Sequence, residues 1–445
     1  MYPFGKAYPR FPVMPAFVVS KALSEDAIPV SSGQVAAFRL SRQHLDPRSP
    51  ASSLARMAGE VAGIQAQVLS AAQIALWSRT EGLRVEDVAR ALWQDRTLVK
   101  TWCMRGSLHI IPSRDFAVFV RGCAKREARS TGWLAWAGVP MAPVERILAG
   151  IPDVLDEPLT RRELAVRISE SLNLPLKRRT GGGWGKSTES EGLDVGGHTL
   201  SVQGILFLAC MRGLACFGSM RGNEATFVRP DRWLSGWRDL PQEEAEGELL
   251  SRYLRAHGPA TVGDFAQWTY LKAMDAREVW SRLADSLLPI DTEGRIAWLL
   301  QDDAHALDRA GFESPSVRLL PLFDGFLLGL KEKGHLVDSA RYKAVYRPQG
   351  WISPVVLVNG RVAGVWSHER QGRRLSVRID PFRECPRGVR KGITDEADDL
   401  GRFLGADEVR VRLRPARSGT QPSRGPSRGR GPRARPSRTS ASGRG

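Results

Sequence analysis

Leu98-Val-Lys-Thr-Trp-Cys-Met-Arg105-Gly-Ser-Leu-His109-Ile-Ile111 is the stretch on which the fold turns. Two runs with strand-like alternation flank a polar, glycine-containing turn, which is the pattern of a β-hairpin. Upstream, Asp87-Val88-Ala89 opens a helical pattern, and this succession returns twice. Glu163-Leu164-Ala165 precedes the hairpin-like Leu214–Val228 (LACFGSMRGNEATFV), and Asp264-Phe265-Ala266 precedes Leu287–Leu300 (LLPIDTEGRIAWLL). Thr160 and Thr261 each stand three residues before the acid, the spacing of a capping box, with Asp replacing Glu in the last copy. Helices followed by a hairpin follow the order of a winged helix-turn-helix, whose last helix enters a DNA groove while the hairpin grips the backbone. The competing reading is that three-letter coincidences arise readily in helical proteins.

Further along, Arg318–Leu330 leads to Trp351–Trp366, where Asn359-Gly360 is a strong hairpin turn. Arg370-Gln-Gly-Arg-Arg374 marks a second turn, Leu375–Ile379 alternates as a strand, and a helix is expected over Glu396–Leu404. The expected fold class is α+β, mainly α, with three tandem winged-helix units and a C-terminal β-rich segment. The boundaries read as a poorly ordered extension (1–31), three winged helices (32–140, 141–238, 239–310), a β-rich segment closing a cleft (311–413) and a disordered tail (414–445).

A net charge of +17 is high for 445 residues. The tail from Arg417 to Gly445 holds eight arginines and no Asp, Glu or Lys, so 17 less 8 leaves +9 on the rest. A folded part that stays basic suits a polyanion such as nucleic acid, although an Arg-biased genome with a solvated surplus explains the same number. The tail, rich in Arg, Ser, Pro and Gly, is able to add non-specific DNA affinity by counterion release or to be inert.

The five cysteines form no C-x-x-C pair and the seven histidines are dispersed, so a disulfide framework, a protein-built zinc or iron site and a cofactor are not expected. No run is long and apolar enough for a membrane helix, Pro12 and Pro15 interrupt the apolar N-terminal stretch, and no targeting segment is evident, which makes the cytoplasm the default. Gly181-Gly-Gly-Trp-Gly-Lys186-Ser187 resembles a phosphate loop but is one residue short of G-x-x-x-x-G-K-[ST]; it reads as a flexible basic loop.

Gly63-Ile64-Gln65-Ala66-Gln67 lies between two apolar helical patterns. At this point the chain resembles the winged-helix DNA glycosylases of the AlkZ/YcaQ type, which carry a Gln-x-Gln or Gln-x-Asp pair near the end of an early helix. Thr101–His109, Leu320-Pro321-Leu-Phe323-Asp324 and Val358–Trp366 match in the same order, and the resemblance covers nearly all of 32–413. It implies a monofunctional enzyme that hydrolyses the N-glycosidic bond of an alkylated base in double-stranded DNA and leaves an abasic site. No lysine is an evident Schiff-base nucleophile, so lyase activity is not expected.

On that resemblance Gln65 and Gln67 are the catalytic candidates. A cationic N7- or N3-alkylated purine leaves as a neutral base, so a carboxamide suffices to orient water and to offer its carbonyl dipole to the developing oxocarbenium charge. Gln67 stands where the Gln-x-Asp branch has a carboxylate, which favours strongly activated lesions such as bulky N7-alkylguanine or crosslinked bases. From the residues alone, glutamines two apart do not share a face of an ideal helix and serve equally as a cap or a solvated pair. Arg105, Ser107 and His109 are placed near the site, with His109 facing the cleft or satisfied within a sheet. Asp324 is a site-proximal carboxylate or a helix cap. Arg121, Lys125, Arg221, Arg370, Arg373 and Arg374 are the expected DNA contacts, or solvated charges. The expected unit is a monomer without membrane contact. The rival function is a non-catalytic winged-helix regulator or lesion sensor; an RNA- or nucleoid-binding role rests on the tail alone.

Overall fold

Each acid that opens a repeated tripeptide sits at the third position of a helix and returns a hydrogen bond to the backbone before it. The Thr160–Glu163 and Thr261–Asp264 capping boxes both form, and Asp87 accepts from the Arg84 backbone N–H at 3.0 Å. These contacts satisfy amide donors that a helix start leaves without partners. The computed structural model describes residues 27–127, 131–136, 138–180, 189–234 and 236–415. The tail from 416 on, residues 1–26 of the N-terminal extension and the Gly181–Ser187 loop lie outside them.

The principal elements run α1 (Ser32–Arg42), α2 (Leu54–Glu60), β1 (Ile64–Gln65), α3 (Leu69–Trp77), α4 (Val85–Trp93), β2 (Leu98–Trp102), β3 (Leu108–Pro112) and α5 (Phe116–Arg121). There follow α6 (Met141–Val154), α7 (Arg161–Leu172), α8 (Val202–Met211), β4 (Cys216–Arg221), β5 (Glu224–Val228), α9 (Gln242–His257), α10 (Val262–Thr269), α11 (Ala273–Ser281), β6 (Leu287–Thr292) and β7 (Arg295–Leu300). The C-terminal part contains β8 (Val317–Leu320), β9 (Val355–Val358), β10 (Arg361–Gln371), β11 (Arg374–Pro381), α12 (Arg387–Leu404) and β12 (Glu408–Leu413). The architecture is mixed α and β, and all three hairpins read from the sequence form: β2–β3, β4–β5 and β6–β7.

The first hairpin differs in setting from a free wing. Every residue of β3 is buried, and Leu98, Val99, Thr101 and Trp102 of β2 are buried with it. Trp102 packs on Phe207 of α8 and Phe217 of β4. Its two apolar faces make it an interior sheet to which β1 adds a third strand. Ile28–Pro29, within the stretch read as an extension, pairs in parallel with Ile290 and Asp291 of β6. Leu176–Thr180, Glu189–Val195 and His198–Ser201 form a three-stranded sheet that the sequence reading did not anticipate.

The C-terminal sheet has the order β8-β9-β10-β11-β12. Its first four strands are antiparallel, as expected, but β12 joins β11 in parallel after α12 crosses over. Asn359 (φ 46°) and Gly360 (φ 76°) make the β9–β10 turn, the double positive φ that two-residue hairpins of this hand require. Buried apolar side chains join segments far apart in sequence: one cluster links Trp77 of α3 with Phe403 of α12, another links Val99 and Phe116 with Tyr253 and Phe265.

Candidate functional site

Gly63 turns the chain from α2 into β1 with φ 89°, and a Cβ there would meet Ile111 and Met104 at 3.1 Å. Only glycine satisfies both demands. Ile64 then pairs with Ile110 and Gln65 with His109, and the ladder continues as the Ala66 N–H donates to the Leu108 carbonyl at 2.7 Å. Gln65 therefore lies in a strand, and Gln67 in the bend that leads into α3. Neither residue is within a helix, so the objection drawn from helical geometry does not apply to them. Gln65 is half-buried and Gln67 exposed.

Arg105 occupies the turn between β2 and β3 with φ 57°, in the left-handed region that a side chain disfavours. Its guanidinium is held by three acceptors: Gln65 Oε1 at 2.7 Å, the Trp268 carbonyl at 3.1 Å and His109 Nε2 at 3.1 Å. Burial lowers its pKa to about 10, which leaves it cationic at neutral pH. The opposite ring nitrogen of His109 lies 3.0 Å from the Ser107 carbonyl. A carbonyl only accepts, so Nδ1 carries the proton and Nε2 is free to accept from Arg105. His109 is 2% exposed, and burial followed by the Arg105 charge holds its pKa well below the usual value. It is thus a satisfied, neutral sheet residue. The Ser107 hydroxyl donates to the Met104 carbonyl at 3.0 Å within the same turn.

Asp324 is not a free carboxylate. It is 1% exposed and receives both arms of Arg79, at 2.7 and 2.8 Å, while it caps the short Gly325–Leu328 helix through the Phe326 N–H. Of the two readings the sequence left open, the cap is the one formed, with an ion pair added. Its loop still borders the site, for a Cβ on Gly325 would touch the Gly63 carbonyl at 4.0 Å.

The basic candidates are mostly tied to acids of the same chain. Arg121 pairs with Asp239 at 2.7 Å, Lys125 with Glu278 at 2.8 Å and Arg221 with Glu163 at 2.6 Å. On the β10–β11 hairpin, Arg373 pairs with Asp407 and Arg374 with Glu408. Arg370 is exposed, bonds only the Gly372 carbonyl of its own turn, and has no acidic partner among the described residues.

Three residues escaped the sequence reading. Trp268 supplies a backbone carbonyl, which no side-chain pattern announces. Arg79 looks like any arginine at a helix end until Asp324 is brought to it. Arg126 is 1% exposed, and its three side-chain nitrogens have no hydrogen-bond partner among the described residues. Its charge adds to that of Arg105 in keeping His109 neutral. The nearby Cys103 thiol is pushed up to about 12 by burial, which removes it as a nucleophile. Among the described residues no cluster of His, Cys, Asp or Glu is placed to hold a metal ion, and no helix is long and apolar enough to cross a membrane.

Comparison with known proteins places this geometry in context. Residues 58–403 match the family model described as DNA glycosylase AlkZ-like. A curated relative, the interstrand DNA cross-link repair glycosylase of Streptomyces sahachiroi, is 32% identical over 389 residues, covering 85% of this chain and 98% of its own. The solved structure of the Streptomyces sahachiroi DNA glycosylase AlkZ superposes with a TM-score of 0.72 at 30% identity, covering 87% of this chain and 100% of its own.

Proposed function

Because the chain belongs to the AlkZ-like DNA glycosylase family, we propose that its Gln65–Gln67 pair hydrolyses the N-glycosidic bond of cationic alkylated bases in DNA. It is a DNA glycosylase acting on alkylated or crosslinked bases. The finer reading rests above all on one observation: both glutamine oxygens meet the β2–β3 hairpin, Gln65 at the Arg105 guanidinium of its turn and Gln67 at the Leu108 N–H where β3 begins.

The chemistry asks little of a general acid. Water adds to C1′ as the C1′–N bond breaks, the cationic base takes the bonding pair and departs neutral, and the water's proton passes to solvent. What the protein supplies is a positioned water and a dipole toward the sugar, which carboxamides provide without a titrating group. The favoured lesions are bulky N7-alkylguanine adducts and crosslinked bases, as the relative's name also suggests for that protein. We read the helices with the β2–β3, β4–β5 and β6–β7 hairpins as three winged-helix units. The third, α9-α10-α11-β6-β7, has the full helix-helix-helix-hairpin order. The acting unit is a monomer, since one chain supplies every group named.

The test is base release from duplex DNA carrying a defined N7-alkylguanine, corrected for spontaneous depurination. Gln65→Ala and Gln67→Ala are each expected to slow release about 100-fold, the usual scale for one positioned polar group, while binding of the duplex persists. Wild-type rates in both variants would remove the glutamines from the mechanism.

The β10–β11 hairpin offers a second measurement. Gln371 pairs with Arg374, so Gly372 and Arg373 form a two-residue turn, and residues 367–371 are exposed. Arg370→Ala should weaken DNA binding regardless of sequence and reduce the salt dependence by about one phosphate contact. Arg373→Ala should change it less, because Asp407 already offsets that charge. Equal salt slopes in wild type and Arg370→Ala would show that the tip does not contact phosphate.

A further inference from the structure

We propose that Arg105 is a positioning residue that makes the two glutamines unequal: Gln65 a fixed N–H donor toward substrate, Gln67 the adaptable carbonyl acceptor. The inference rests on the catalytic reading of the pair given above.

A guanidinium has donors and no acceptor, so the atom of Gln65 that meets Arg105 at 2.7 Å must be the carboxamide oxygen. The amide –NH2 then occupies the other side of the planar group. A cation bonded to the oxygen draws density through the amide and strengthens its N–H groups as donors. The same bond occupies one of the two carbonyl lone pairs and lays a positive charge against the oxygen, so Gln65 is badly placed to stabilise a developing oxocarbenium.

Gln67 is held differently. Its side chain is exposed, and among the described residues its oxygen meets only the Leu108 N–H at 3.5 Å, the outer limit of a hydrogen bond. Its carbonyl is therefore free to turn toward the attacking water or the sugar.

Arg105 has the fixity this role needs. Its backbone is fixed in a left-handed turn beside Gly106, and its guanidinium spans Gln65, the neutral His109 ring and the carbonyl of Trp268 in α10. A helix remote in sequence thus sets the orientation of a carboxamide on β1. Lysine at this position keeps the charge but loses the fork that reaches several acceptors together.

The experiment uses the full chain and a duplex with a single N7-methylguanine, read by single-turnover release and by equilibrium binding of the same duplex. Arg105→Ala is expected to slow release about 100-fold with binding within about threefold, and Arg105→Lys to recover only part of the loss. Gln65→Ala combined with Arg105→Ala should be no more than about threefold slower than Gln65→Ala alone, since residues acting through one another are non-additive. Gln65→Glu keeps an acceptor for Arg105 but removes the N–H donor, so it should be as slow as Gln65→Ala. This variant also serves if Arg105→Ala does not fold.

Wild-type release by Gln65→Glu, or losses that multiply in the double variant, would overturn the assignment. Slow release in both glutamine variants with normal release in Arg105→Ala would overturn this inference alone. Normal release in both glutamine variants would overturn the reading beneath it.

Discussion

Asp324→Ala should destabilise the fold by about 3–5 kcal/mol, the cost of leaving one buried charge without its partner. Arg79 has nowhere else to place that charge. Its side chain is 1% exposed, and its remaining contacts are the Ala75 carbonyl, the Ser78 hydroxyl and Gln43 Oε1, all neutral. Whole-domain stabilities are only about 5–15 kcal/mol, so the loss should appear as a large fall in the urea midpoint. Replacing Arg79 with Met in the same chain should recover much of it, because the uncompensated charge goes with the arginine. The rate of base release by the folded fraction should fall less than about tenfold, since Asp324 acts through loop placement and not on the reacting atoms. A stable Asp324→Ala with abolished release would reverse this assignment and return Asp324 to the chemistry.

Acid should unfold this protein sooner than carboxylate titration alone would. His109 and His257 are 2% and 4% exposed and neutral; burial and nearby arginines hold His109 well below the usual range and bring His257 down to about 3. In the unfolded chain both take up protons near pH 6.5. The unfolded state then binds protons that the native state refuses, so stability is intact above about pH 6.5 and falls as the pH drops through it. At pH 5 His257 contributes a loss of about 2 kcal/mol, and His109 and His335, also lowered chiefly by burial, act in the same direction. The buried carboxyls of Asp303 and Glu396 are shifted up and oppose this, but only as the pH nears the carboxylate range. Urea midpoints at pH 7 and pH 5 decide it: a large drop is expected, and equal midpoints would mean these rings gain protons while folded. The same neutrality predicts that base release at saturating enzyme shows no His109 inflection between about pH 6 and 9.

The two expectations share a cause that also marks how far the sequence carries. Capping boxes at Thr160 and Thr261, the Asn359-Gly360 turn and the three hairpins were legible because each depends on residues within a few positions of one another. So was the Gln65–Gln67 motif as a candidate. The pair does follow the end of α2, but the strand that Gln65 joins was not foreseen. Ile64 and Gln65 have no local reason to be extended; they are so because β3, more than forty residues on, offers its edge.

Charge was legible as composition and illegible as placement. The sequence shows a basic chain, yet Arg121, Lys125, Arg221, Arg373 and Arg374 pair with acids of the same chain, and Arg370 has no such partner among the described residues. Ion pairing is set by distances across the fold, and Arg79 and Asp324, 245 residues apart, give no sign of each other until folded.

By itself, then, the sequence determined the capping boxes, the three hairpins, the family and the candidate pair of carboxamides, because these are written in short-range spacing and in residue identity. Only the tertiary structure decided that His109 is neutral, that Asp324 is a buried partner and that Arg105 grips Gln65. Those facts depend on burial and on contacts between remote segments, where a few ångströms determine whether a polar group is solvated, paired or alone.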